Sequence, residues 1–158
     1  MKTIAIVQRK GGNGKSTSCL NLARSLSLKG KRVLIVDLDD QKNSTQSIPF
    51  ENKIAHTVDE VLVNDELVVK DAVTATDWKG VKVIAGSSNL SGVIRELDGE
   101  VGSHLVLKEK LNEVKDDFDF CLIDTSPSLN ILVVNALCAA DFAFIPLSSK
   151  YFSLQGLG

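Results

Sequence analysis

Five short apolar runs, set far apart along the chain, place the tightest limit on how it can fold. They are TIAIV (3 to 7), RVLIVD (32 to 37), VKVIAG (81 to 86), FDFCLID (118 to 124) and DFAFIPL (141 to 147). Their apolar positions are nearly continuous instead of alternating, which is how strands covered on both faces read. Strands of that kind need helices above and below, and the intervals supply them. Residues 15 to 29 place Cys19, Leu22, Ala23 and Leu26 on one helical face, with Lys29 in the last turn and Gly30 as a stop. Ser103 is a candidate N-cap ahead of Leu107, Leu111 and Val114, and two further helices are expected over 129 to 140 and 90 to 98. The stretch 44 to 80 says least: TVDEVL (57 to 62) reads as a short helix, TDWKG (76 to 80) as a turn, and no chemistry is visible in it. The expected fold is α/β, a doubly wound and mostly parallel sheet with helices on both faces and ligands at the carboxyl ends of the strands.

The 158 residues, 44% hydrophobic and 24% charged, are enough for one domain with a real core, and no repeat or linker divides them. A formal net charge of -2 gives no support to broad nucleic-acid affinity within this segment. No run approaches the roughly 18 apolar residues of a membrane span, and MKTIAIVQRK is too short an apolar stretch for a signal peptide, so the expectation is a cytoplasmic protein with no membrane role. Cys19, Cys121 and Cys138 are far apart without a C-x-x-C neighbour and read as reduced core thiols. His56 and His104 are isolated as well, which leaves no ligand set for structural zinc.

Chemistry concentrates in RKGGNGKST, Arg9 to Thr17, between the first apolar run and the first helix. Gly11, Gly12 and Gly14 let the backbone turn tightly and aim N–H groups inward, the helix N-terminus adds partial positive charge, and Lys15 adds a full one. Asn13 lies inside this loop; Ser16 is the candidate magnesium ligand, and Thr17 donates to an inner phosphate. The ligand class is a nucleoside triphosphate. Compared with the phosphate-loop pattern G-x-x-x-x-G-K-[ST], arginine stands where the first glycine belongs, and Lys10 adds an unrequired charge. Two later runs bring carboxylates to the same sheet edge: VLIVDLDDQ gives Asp37 and Asp39, and FCLIDTSPS gives Asp124 in the form of a Walker B aspartate. Together with the loop they favour magnesium and water handling, while Asp40 reads as solvated turn charge.

KGGNGKST, VLIVDLDDQKNST, FDFCLIDTSPSLNILVVNALCAAD and FIPLSSKYFSLQGL resemble, in order and spacing, the motifs of ParA-type ATPases in the ParA/MinD family of deviant-Walker P-loop proteins. The resemblance spans nearly the whole chain. It implies the P-loop NTPase fold, ATP and Mg2+ as cofactors, and a homodimer formed with ATP in which Lys10 reaches the nucleotide of the second subunit. It makes Lys15 the phosphate lysine, Ser16 the magnesium ligand and Asp39 the residue that orients or activates the attacking water. Asp37 and Asp124 would hold the magnesium shell through water, and Asn135 would lie near the nucleotide or the dimer interface. Asp39 to Ser44 and Thr125 to Ser128 look like its two switch regions.

The chain departs from the family pattern at Asp40 and Ser126, where proline is usual, at Lys42, where glycine is usual, and at Gln155, where glutamate is usual. Without those prolines both switches are expected to be more mobile. Relatives continue past LQGLG through further strands and helices, which carry the adenine-contacting loop, part of the dimer surface and most of the patch for nonspecific DNA. The leading expectation is a partition ATPase in which ATP drives dimerisation and a ParB-type or analogous partner stimulates hydrolysis during plasmid, chromosome or other cargo segregation. The competing one is a nucleotide-binding fragment or regulatory switch with little turnover, or another positioning ATPase of the family. A MinD-type role would need a membrane-binding tail, which is not read before Gly158, and the iron-protein branch would need differently placed cysteines.

Overall fold

Every residue of the VLIVDL segment is buried, so the near-continuous apolar run becomes a central strand. The computed structural model describes residues 1–50 and 53–147; Gln155 lies outside them. In chain order the elements are β1 (Lys2–Ile6), α1 (Lys15–Leu28), β2 (Val33–Leu38), α2 (Asn43–Ser47), α3 (Val58–Val63), α4 (Val69–Ala72), β3 (Val73–Ala75), β4 (Val81–Ile84), α5 (Leu90–Leu97), a 3-10 turn (Ser103–Leu105), α6 (Val106–Asn112), β5 (Phe120–Thr125), α7 (Ile131–Ala139) and β6 (Phe142–Phe144).

The sheet runs β3-β4-β2-β5-β1-β6. All pairs are parallel except β3 with β4. The five expected strands are present, and the antiparallel edge strand β3 is an addition. Its three residues are too few for a periodic signal, and its place is fixed by pairing with β4. Both faces are covered. Ile6, Ile35, Val83 and Leu122 pack with Cys19 and Ala23 of α1. On the other face Leu34, Val36, Ile84 and Ile123 pack under α3, α5, α6 and α7 through Val61, Val93, Leu107 and Leu132. Each such side chain contributes roughly 1.5–3 kcal/mol by leaving water.

Two local readings need correction. Ser103 does not cap α6: it opens the 3-10 turn, Leu105 stands at the N-cap, and the Ser103 carbonyl accepts a hydrogen bond from Asn135. The segment 44 to 80 contains α2, α4 and β3 besides the expected helix, which begins after Thr57 in a capping box closed by Glu60.

Candidate phosphate-binding site

Strand register brings the acidic residues together. Asp37 pairs with Asp124 across β2 and β5, and Asp124 pairs with Ile6 across β5 and β1, so both carboxylates and the loop leaving β1 meet at one end of the sheet. From there the chain turns through Gly12 (φ 77) and Gly14 (φ 78), backbone that a side chain would strain, and enters α1 without a side-chain cap. Its first-turn amides are therefore not satisfied by a capping side chain and face a cavity of about 500 Å³. Gly11, Gly12, Gly14, Lys15, Ser16 and Thr17 line it, and Asp39 closes it from β2.

Lys15 is buried, and its Nζ donates to the Gln8 carbonyl at 3.2 Å, which draws the ammonium across the loop. Lys10 is exposed and outside the cavity lining, its amide 3.5 Å from Gln8 Oε1. Three buried polar atoms have no hydrogen-bond partner among the described residues: Asn13 Nδ2, Asp124 Oδ1 and Ser126 Oγ. Orphaned groups cost roughly 1–3 kcal/mol each unless a ligand or water satisfies them. Magnesium fits this donor set, because a hard cation takes oxygen ligands and the Ser16 hydroxyl and Asp124 carboxylate offer them.

Burial pushes the Asp124 carboxyl above its ordinary value, against the pull of the Ser44 and Ser16 hydroxyls and the Lys15 charge. Burial likewise raises Asp37 to about 6, with the neighbouring Asp124 adding to it and Thr45 opposing it. Asp39 is raised mainly by burial, and the Gln41 amide opposes the rise by donating to its carboxylate at 3.1 Å. Burial beside Asp124 and Asp37 keeps the Cys19 thiol neutral, and burial alone does so for Cys121. An acid whose pKa is higher in the folded chain gives stability that is full below its unfolded value of 3.8 and is lost as pH rises through about 6. The ligand-free chain is therefore expected to unfold at lower denaturant at pH 7.5 than at pH 5.5. Asp37→Asn should flatten that difference, and a midpoint that climbs over this interval would contradict the assignment.

Two of the expected site residues make their bonds within the fold. Asp37 Oδ1 accepts the Asp39 amide at 3.1 Å, and Oδ2 accepts the Thr45 amide and hydroxyl at 2.8 and 2.7 Å. With both oxygens engaged and no surface exposed, Asp37 braces the turn after β2. Asn135 is fully buried away from the cavity. It accepts from the Leu107 amide at 3.0 Å and donates to the Ser103 and Ile131 carbonyls at 2.8 and 3.0 Å, pinning α7 to the turn before α6.

Residues 44 to 80 do hold part of the site. Ser44, fully buried, donates to Asp124 Oδ2 at 2.6 Å, and Thr45 holds Asp37. Lys42, just before α2, has φ 53 and is the one non-glycine residue with positive φ among the described residues. That conformation explains the glycine usual at this place in the resembled pattern. Lys42→Gly is expected to stabilise the fold by about 1 kcal/mol in chemical denaturation, whereas Lys42→Ala, which keeps the Cβ, should give no gain.

A family model described as an AAA domain matches residues 1–158. The chain is 40% identical over 157 residues to the sporulation initiation inhibitor protein Soj of Bacillus subtilis, covering 99% of this chain and 62% of that protein. It is 42% identical over 156 residues to the chromosome-partitioning ATPase Soj of Treponema pallidum, covering 99% of this chain and 60% of that one. The chain belongs to the ParA/MinD-type P-loop ATPases. Solved structures share its fold. The Mycobacterium smegmatis cobyrinic acid a,c-diamide synthase with ADP and magnesium superposes with a TM-score of 0.92 at 33% identity, covering 100% of this chain and 64% of that one. A Cyanothece McdA–ATP complex gives 0.91 at 28%, covering 99% and 60%. The chain thus spans about three fifths of the length of the curated relatives it matches. Among the described residues no helix is long and apolar enough to cross a membrane.

Proposed function

We propose that this chain is the ATP-binding part of a Mg2+-dependent partition ATPase that dimerises with ATP and hydrolyses it slowly until a ParB-type or analogous partner accelerates turnover. The observation that carries the reading is the single cavity lined by the glycine loop, Lys15, Ser16, Thr17 and Asp39. The loop amides and Lys15 hold the phosphates, and Asp39 orients the attacking water. Ser16 and Asp124 hold the cation, which when bound neutralises charge developing on the transferred phosphoryl group. Lys10, on the exposed approach to the loop, reaches the phosphates of a second copy and supplies charge there only when two chains meet. Further support comes from the relatives, one a chromosome-partitioning ATPase and two with solved structures containing ATP or ADP.

Calorimetry with ATP and GTP in Mg2+, followed by light scattering over a range of protein concentrations, tests this. Binding that needs Mg2+, prefers ATP and promotes dimers is the expected result. Phosphate binding without base preference, dimers or turnover would favour a nucleotide-binding switch instead.

A further inference from the structure

Thr45 lies outside the phosphate cavity, yet its side chain links the loop after β4 to Asp37 through a chain of hydrogen bonds. A threonine hydroxyl has one proton to give and lone pairs to accept with. The Gly86 amide donates to Thr45 Oγ1 at 2.8 Å, and since an ionised carboxylate can only accept, the hydroxyl proton goes to Asp37 Oδ2 at 2.7 Å. The Thr45 amide reaches the same oxygen at 2.8 Å. Two donors from one residue fix the plane of the carboxylate, and its other oxygen takes the Asp39 amide at 3.1 Å. We propose that Thr45 is a positioning residue for Asp39, acting through Asp37, with Gly86 setting the geometry from the loop between β4 and α5.

Burial and packing support this independently. Thr45 is 6% exposed and Asp37 not at all, so water does not compete for these bonds. A Cβ on Gly86 would stand 3.0 Å from Asp37 Cγ and 3.1 Å from Asp37 Oδ2. The loop therefore passes close to the carboxylate, and glycine is what its approach allows. Asp39 lies on the cavity wall, two residues beyond Asp37, and a small rotation of Asp37 would displace its backbone. Misplacement by about 1 Å of a group that orients a reactant can cost about 100-fold in rate.

The inference rests on the hydrolytic reading of Asp39. Thr45→Val keeps shape and removes the hydroxyl, Thr45→Ser keeps the hydroxyl, and Gly86→Ala crowds the Asp37 carboxylate directly. Turnover in Thr45→Val and Gly86→Ala is expected to fall about tenfold or more, with ATP affinity and its Mg2+ dependence within about twofold of the parent and Thr45→Ser close to it. Amide hydrogen exchange supplies a readout independent of turnover: Asp39 and Gln41 should exchange about tenfold faster in Thr45→Val while β5 stays protected. Unchanged turnover together with unchanged exchange at Asp39 would overturn the proposal, as would unchanged turnover with nothing but a lowered unfolding midpoint. If the parent and Asp39→Ala hydrolyse ATP equally, the hydrolytic reading fails, and exchange at Asp39 alone decides whether Thr45 positions it.

Discussion

Lys15→Ala is expected to lose ATP affinity by about 100-fold or more in calorimetry at pH 7.5 with Mg2+, since truncating one partner of a buried charge pair costs roughly 2–5 kcal/mol. The side chain is 7% exposed and held by the Gln8 carbonyl, so in this cavity its charge is neither diluted by water nor free to wander. Removing it also takes away the positive charge that draws the Asp124 pKa down. Lys15→Arg keeps the charge but brings a planar fork where a compact ammonium sits, and should recover only part of the loss. Affinity unchanged in Lys15→Ala would place the phosphates elsewhere and end the account of the cavity.

Asp39→Ala should leave ATP affinity within about threefold of the parent and lower turnover about 100-fold or more, the range expected when a group that orients or activates water is removed. The separation of effects follows from position. The glycine loop and Lys15 line the cavity from the β1 side, whereas Asp39 enters the same space from β2. Its main structural bond is to the Gln41 amide, which an alanine leaves to water, so the fold should survive the change. Single-turnover measurement under saturating ATP checks this, and equal rates for the two proteins would remove Asp39 from the reaction.

The sheet and its main helices could be read because each depends on local pattern. VLIVDL has no polar face to offer, and Gly12 and Gly14 stand where the backbone needs a left-handed turn. Carboxylates at strand ends were legible for a similar reason, since a parallel sheet aligns the ends of its strands. Which groups hold each carboxylate was not. Asp37 and Asp124 look equivalent in sequence, and only their partners separate them: Asp124 keeps an unpaired oxygen, while Asp37 is held by Thr45 and Asp39. Those partners obey no spacing rule. Ser44 meets Asp124 across 80 positions and Gly86 meets Thr45 across 41, distances over which no periodicity carries information. Asn135 is a further case: the amide inside ILVVNALCA makes three bonds, all to neighbouring backbone. The short β3, α2 and α4 have too few residues for any period to emerge.

The place of β5 has a kinetic consequence. β1 and β2 leave the ribosome early, yet they never touch as strands: β5 separates them, and Ile6 waits for Asp124 and Val36 for Ile123. Closing so long a span is slow compared with forming α1, so the phosphate loop and its helix emerge well before Asp124 joins their end of the sheet. A nascent chain that ends before β5 can pair β2 with β4 but leaves β1 without a strand partner. Acquisition of tight ligand binding would thus date the moment at which the last inner strand slides home, making nucleotide a timer for maturation of this protein.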